Sequence, residues 1–333
     1  MGDIATILPA VFGIMDTRAV KERGYFLCKT ETGPAKIHKT HEHHQSIRLR
    51  HALLEKLDAA GFPWTDKISL STYGIPYVQL GRDTYVMSRH IRGHDLNLDC
   101  PKDVIPAVES IAHFHAAATG MTFCDSVSPD VSPSVEEVFA KNAAFLVKTV
   151  RQVNKHSRLS DFDVMFIKNI PRYESYVSQS TQILAQTDYA ALYATATAEK
   201  HICHNALKEE NLPILEGRCY ITNFTETSVD AQITDLASFL HRYARRSQRA
   251  IPLNTLIEAY DRILPLPQSA AAIIYAQLIH PWQFIKIAQQ YYSKKRGWTP
   301  AAIMSRMSNL LHEQEGYDTY INSFRLLTQK SFI

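Results

Sequence analysis

The chain has 333 residues, 45% of them hydrophobic and 21% charged, which gives length for two lobes or two small domains of an ordinary globular protein. Its net charge of +3 is not gathered into a long basic run, which argues against nucleic-acid or membrane-surface partners. No apolar stretch approaches the roughly 18 residues of a membrane span, and MGDIATILPAVFGIMDTR has no basic segment ahead of an apolar core, so neither a span nor a secretory leader is expected. The cysteines (Cys28, Cys100, Cys124, Cys203, Cys219) are scattered without a CxxC pair and read as reduced thiols. His38, His41, His43 and His44 cluster, but lack the carboxylate or cysteine partners of a defined metal site, and read as a solvated, partly basic loop.

In chain order, YFLCKT and PAKIHK flank a Glu31-Thr32-Gly33 turn and predict a hairpin from Gly24 to Lys39. SIRLRHALLEKLDAAGF then sets Ile47, Leu49, Leu53, Leu54 and Leu57 at helical spacing and stops at Gly61. KISLST, PYVQL and TYVMSRHI read as three strands. The first 95 residues thus give β-β-α-β-β-β, a small mixed layer. PKDVIPAVESIAHFHAAATG is an amphipathic helix ending at Gly120, followed by a Ser-, Pro- and Asp-rich loop (Asp125–Ser134) and helices over roughly 134–155 and 160–186. LPILEG and CYITNF form a second expected hairpin around Glu216-Gly217, and everything after Ile233 reads as helical. The expected division is a β-rich lobe, 1–93, and a helical lobe, 94–333, an α+β two-lobed fold.

A small β lobe joined to a larger helical lobe is the layout of protein-kinase-like phosphotransferases. Such an enzyme needs a strand lysine for the nucleotide phosphates, a catalytic-loop Asp with an Asn beyond it, and a metal-binding Asp on the next hairpin. ICHNALKEENLPILEGRCYITNF resembles the catalytic loop and metal-binding hairpin of CotS/YutH-type spore-coat proteins, within the aminoglycoside/choline kinase-like superfamily. IAHFHAAATG, VDAQITDLASFL and HPWQFIKIAQQYY resemble further motifs of that group, so the similarity spans about residues 20–300.

The resemblance places His204 at the loop histidine and Asn211 at the metal-binding asparagine. It puts Ala206 where the catalytic Asp belongs, Asn223 where the metal-binding Asp belongs, and His38 where the strand lysine is usual. Lys36 shares the strand face of His38 and is the available substitute, although two residues along a strand shift it by roughly 6.6 Å. Glu55 is a plausible lysine partner or else an exposed helix glutamate. Glu209 and Glu210 lie inside the loop, where a carboxylate would reach a metal, and His115, His204, Asp230 and Asp235 are expected to be structural.

The resemblance therefore implies a degenerate kinase, a pseudokinase made in the cytoplasm, located in the spore coat and associated with other coat proteins. No metal site is expected, and ATP with magnesium enters only if the cleft is still competent. The alternative is an atypical ATP-dependent small-molecule phosphotransferase.

Overall fold

The computed structural model describes residues 4–14, 19–123, 128–293 and 299–328. Cys124 and residues 125–127 of the expected Ser/Pro/Asp-rich loop lie outside them. The chain divides into two compact units, each discontinuous in sequence. The first takes in residues 1–131, 197–232 and 256–265; the second takes in residues 132–196, 233–255 and 266–333.

In the first unit α1 (Ile4–Val11) precedes β1 (Val20–Lys21), β2 (Tyr25–Thr30) and β3 (Gly33–Thr40); α2 (His44–Ala59), β4 (Val78–Leu80) and β5 (Asp83–Arg89) follow. The strands form one antiparallel sheet in the order β1-β2-β3-β5-β4. Side chains alternate across a strand. Accordingly, Cys28, Ala35, Ile37, Tyr85 and Met87 pack with Leu8 and Phe12 into one apolar cluster. Lys36 and His38 take the opposite face, with Ser88 opposite Lys36 in the register.

The strand expected over residues 67–72 does not form. Those residues make one isolated bridge, Ile68 to Ser88. The Ser71 N–H and hydroxyl then both donate to the Ile75 carbonyl and turn the chain away from the sheet. The histidine cluster is also not one loop: His41 and His43 are exposed, His38 lies within β3, and His44 opens α2 with its ring stacked on Tyr77 at 4.1 Å.

Helix α3 (Pro101–Ala117) begins with Pro at its first position, where the missing N–H costs nothing. Beyond α3 the first unit continues with β6 (Ile202–Cys203), a 3₁₀ turn at Glu209–Asn211, the hairpin β7 (Ile214–Leu215) and β8 (Arg218–Cys219), and β9 (Ser228–Val229), which pairs with β6. Glu216 and Gly217 both have positive φ, the backbone of a tight hairpin turn.

The expected lobe boundary between residues 93 and 94 falls inside this unit. The His94 N–H donates to the Ile214 carbonyl at 3.1 Å, and the Ile214 N–H donates back to His94 at 2.8 Å. The Ser110 hydroxyl donates to the Cys219 carbonyl, tying α3 to the same hairpin.

The second unit is helical. It holds α4 (Val135–Val153), α5 (Asp161–Ala185), most of α6 (Tyr189–Glu199), most of α7 (Gln232–Arg246), the start of α8 (Leu253–Asp261), α9 (Ala270–Ile279), α10 (Trp282–Tyr292) and α11 (Pro300–Thr328). Ser134 caps α4 by accepting from Glu137 N–H, and Ser160 with Asp163 forms a reciprocal capping box on α5. The core of this unit joins Phe162, Phe166 and Tyr173 of α5 to Phe284 and Ile287 of α10 and Met307 of α11. Among the described residues no helix is long and apolar enough to cross a membrane.

Gly93 gives a direct test of the hairpin contact. A Cβ there would collide with the Ile214 carbonyl oxygen, a backbone atom held by its own bridge. Gly93→Ala should therefore cost about 1–3 kcal/mol as an overpacking change and lower Tm. Gly316→Ala in α11, whose Cβ would meet only Arg249 Nη1 at 3.5 Å, should hold or raise Tm. Equal Tm for both variants would contradict the close approach.

Candidate functional site

The loop after β6 and the β7–β8 hairpin bring Ala206, Asn211 and Asn223 together. Asn211 is buried, and its Nδ2 donates to the Ala206 carbonyl at 2.8 Å. A carbonyl only accepts, so this contact fixes which end of the amide is nitrogen and turns Oδ1 toward Asn223. Asn223 Nδ2 donates to that oxygen at 3.2 Å, while its own Oδ1 accepts from the Thr225 hydroxyl at 3.0 Å. The two side chains at the expected metal-binding positions therefore bond to each other. Asn223 sits at φ 65°, a left-handed conformation that Asn tolerates better than most residues.

His204 holds this loop from below. Its buried ring accepts from Ala206 N–H at Nδ1 (3.2 Å) and donates from Nε2 to the Thr222 carbonyl (2.9 Å). Asn205, also at positive φ, donates its amide to the Glu226 carbonyl and the Ser228 hydroxyl. His115 Nδ1 and the Tyr260 hydroxyl share a hydrogen bond at 2.7 Å, and both residues are buried. The Asp230 carboxylate accepts from Ala231 N–H, and Asp235 is buried in the first turn of α7. Glu210 is exposed and Glu209 half-buried on the 3₁₀ turn.

A charged cluster adjoins the two amides. Asp66, 7% exposed, accepts from Asn223 N–H with both oxygens at 3.3 Å and lies 4.0 Å from Lys36 Nζ. Burial holds its carboxyl above the ordinary range, opposed by the Lys36 and Arg50 charges and the Asn223 N–H. Arg50 projects from α2 and pairs with Glu42 at 3.0 Å. Burial first, then the charges of Arg50 and Lys36, pulls His38 down to about 4.

Among the described residues His38 Nδ1, Arg50 Nε and Ser88 Oγ are buried without a hydrogen-bond partner. Buried polar atoms in that state mark a place where another polar group belongs. A cavity of about 340 Å³ opens beside the cluster, walled by Glu42, Arg50, Asp130, Phe224 and Thr225.

Glu55 stands apart. It is exposed on α2 and pairs with Lys67 at 3.1 Å, so the carboxylate beside Lys36 comes from Asp66 instead. Neither Asp66 nor Arg50 is among the residues that the sequence motifs single out. Arg50 could have been found, because it falls on the Ile47-Leu53-Leu54-Leu57 stripe where an apolar residue would be expected. Asp66 had no such signal, since it stands in a loop whose place is set by tertiary packing.

A five-stranded antiparallel sheet, a following helical part and an asparagine-bearing loop with its hairpin define a protein-kinase-like α+β two-lobed fold. The chain is similar to the aminoglycoside phosphotransferase from Alicyclobacillus acidocaldarius subsp. acidocaldarius DSM 446, with a TM-score of 0.80 at 16% identity, covering 98% of this chain and 94% of that one. It is also similar to spectinomycin phosphotransferase APH(9)-Ia in complex with ADP and spectinomycin, with a TM-score of 0.61 at 12% identity over 92% and 93% of the two chains. Among curated proteins it is 19% identical over 172 residues to Spore coat protein S of Bacillus subtilis (strain 168), a match covering 51% of this chain and 49% of that relative. The family described as "Spore coat putative kinase YutH" matches residues 6–324, and the chain belongs to it.

The His38 environment predicts an acid dependence. In the unfolded chain this imidazole takes up a proton near 6.5, and in the folded protein only near 4. The unfolded state binds more protons in that window, so stability is present above it and is lost as pH falls through it. His38→Leu should reduce the pH slope of unfolding free energy between 6.5 and 4 by up to one proton, read from urea titrations across that range. An unchanged slope would show that His38 titrates normally.

Proposed function

We propose that this protein is a pseudokinase of the spore coat, one that keeps the kinase architecture and lacks ordinary phosphotransfer. The observation that carries this reading is the bond from Asn223 Nδ2 to Asn211 Oδ1. A divalent cation of the magnesium type takes oxygen ligands and favours carboxylates. Here the position expected to carry an aspartate aims an N–H at the neighbouring oxygen. Presenting two oxygens instead would require the Asn223 amide to turn, at the loss of its bonds to Asn211 and Thr225, and would still supply no carboxylate. The residues present therefore do not fit the usual metal pair.

The loop also lacks its proton acceptor. At position 206 a methyl group stands where the family pattern has a carboxylate, and general-base catalysis of that kind is worth about 10²–10⁴ in rate. Membership of a spore-coat family, together with the similarity to Spore coat protein S, supports placement in the coat beside other coat proteins.

Holding a nucleotide asks less of the cleft than transferring from it. Lys36, 31% exposed and backed by Asp66, has the charge to meet a phosphate, and His38, Arg50 and Ser88 retain unpartnered polar atoms on the same side. The competing reading, an atypical ATP-dependent small-molecule phosphotransferase, has Asp66 in its favour as a carboxylate touching the Asn223 backbone.

Turnover and binding separate these readings. With ATP and magnesium, γ-phosphate release should stay at the rate of buffer, whereas release that vanishes in Asp66→Asn would establish the phosphotransferase. In calorimetry without metal, ATP should bind the native chain, and Lys36→Met should weaken it at least about tenfold, the scale of one lost charge-assisted contact. Lys39→Met should leave binding unchanged, because Lys39 is exposed and engaged with Asp83 at 2.7 Å. Equal loss in both lysine variants would contradict the assignment of Lys36.

A further inference from the structure

We propose that the outer face of α4 and the turn after it dock an acidic segment of another protein, one that carries several carboxylates with aliphatic residues between them. Residues 138–160 hold five lysines and arginines, at 141, 148, 151, 155 and 158, and no aspartate or glutamate. The whole chain has 36 basic residues against 33 acidic ones, so outside this segment the acids are in excess. No two of the five are adjacent, and the sequence therefore shows no basic run. Folding gathers them: Lys148, Arg151 and Lys155 stand three and four positions apart, the spacing of neighbours on one helix face. Lys155 lies just beyond the helix, but its N–H donates to the Gln152 carbonyl at 3.1 Å and continues the turn toward Arg158.

These cations are left without counter-charges. Lys141 pairs with Glu137 at 3.8 Å, whereas among the described residues the exposed Lys148, Arg151, Lys155 and Arg158 make no ion pair. In the first unit exposed lysines are neutralised, Lys39 by Asp83 and Lys67 by Asp58, each at 2.7 Å. Like charges at three- and four-residue spacing destabilise a helix. The helix dipole favours cations at its C-terminal end, which accounts for Arg151 and Lys155. It does not account for Lys148, more than a turn before that end, or for the lack of any acid among them. A partner bearing carboxylates relieves this repulsion.

The aliphatic residues of the face select the class of partner. Val147, 44% exposed, lies beside Lys148 and one turn before Arg151, and Leu159, also 44% exposed, follows Arg158. A nucleic-acid backbone would meet the cations and leave these side chains in water. A bilayer takes up a broad apolar face, which one valine and one leucine do not supply. A polypeptide offers carboxylates and aliphatic side chains together, and the distance to be matched is short: Lys148 to Lys155 is about 10 Å along the helix axis. This inference goes beyond the coat reading, which identifies no surface, and it stands or falls independently of the cleft.

The test uses the full chain and a fluorescein-labelled peptide of five Glu-Glu-Val repeats, followed by fluorescence anisotropy. Saturable binding is expected, weakening as salt is raised from about 50 to about 500 mM. It should be at least about tenfold weaker for Lys148→Gln/Arg151→Gln/Lys155→Gln, in which three exposed charge contacts are lost together. Lys21→Gln/Lys29→Gln, which removes two exposed cations of the first unit, should bind as the native chain does. No saturable binding, an equal loss in both variants, or tighter binding of a DNA duplex or of phosphatidylglycerol vesicles would overturn the proposal. If the triple variant has a lowered Tm, the ¹³C-methyl signals of Val147 in the native chain, identified by their loss in Val147→Ala, decide the matter. A saturable shift on addition of the peptide supports the face, and no shift overturns it.

Discussion

The Asn211 side chain joins the loop at Ala206 to the hairpin at Asn223, and the chemistry of the cleft depends on how that join is made. Its nitrogen end is committed to the Ala206 carbonyl and its oxygen end to the Asn223 amide. An Asn–Asp pair at these positions would leave two oxygens and a negative charge for a cation. An Asn–Asn pair closes on itself, and each amide satisfies part of the other's demand for partners. The gain is a part-buried polar contact, between buried Asn211 and exposed Asn223, with no charge to desolvate. The consequence is that a metal would have to compete with an existing hydrogen bond as well as accept weaker ligands.

Charge has been redistributed around this pair. Three basic side chains, Lys36, His38 and Arg50, act on the single buried carboxylate of Asp66 or on one another. Asp66 reaches Lys36 from the segment after α2, while the helix itself contributes Arg50 and exposes Glu55 to Lys67. Lys36, two residues before His38 on β3, thus has its carboxylate neighbour in the segment after α2 and not on the helix. Low local dielectric makes such a cluster sensitive to each member. Three of the buried polar atoms here, one each on β3, α2 and β5, have no described partner.

Much of this was legible from residues alone, for local reasons. Helices α3, α4 and α5 show apolar residues at three- and four-residue spacing between strong start and stop signals, and the Glu216-Gly217 turn announces its hairpin. The expectation that 206 and 223 depart from the kinase pattern comes from the resemblance to the kinase-like motifs, which His204 and Phe224 anchor. Other elements left no such trace. Helix α6 buries only Tyr189 and Ala196 and has no apolar stripe. Helix α1 is eight residues long with Pro9 inside it. Residues 67–72 alternate like a strand, but Ser71 bonds forward to Ile75 and leaves the sheet. The role of Asp66 depends on a contact between residues 157 positions apart, which no local pattern encodes.

The amide pair is most directly tested by manganese binding, read by electron paramagnetic resonance with ADP present at saturation. The account predicts that the native chain leaves the free Mn²⁺ signal undiminished beyond what ADP alone removes. Asn223→Asp should bind Mn²⁺ stoichiometrically only if the restored carboxylate replaces the N–H that faces Asn211. Stoichiometric Mn²⁺ uptake by the native chain, lost in Asn211→Ala, would contradict the account, because the two asparagines would then present oxygens to a metal and not bond to each other.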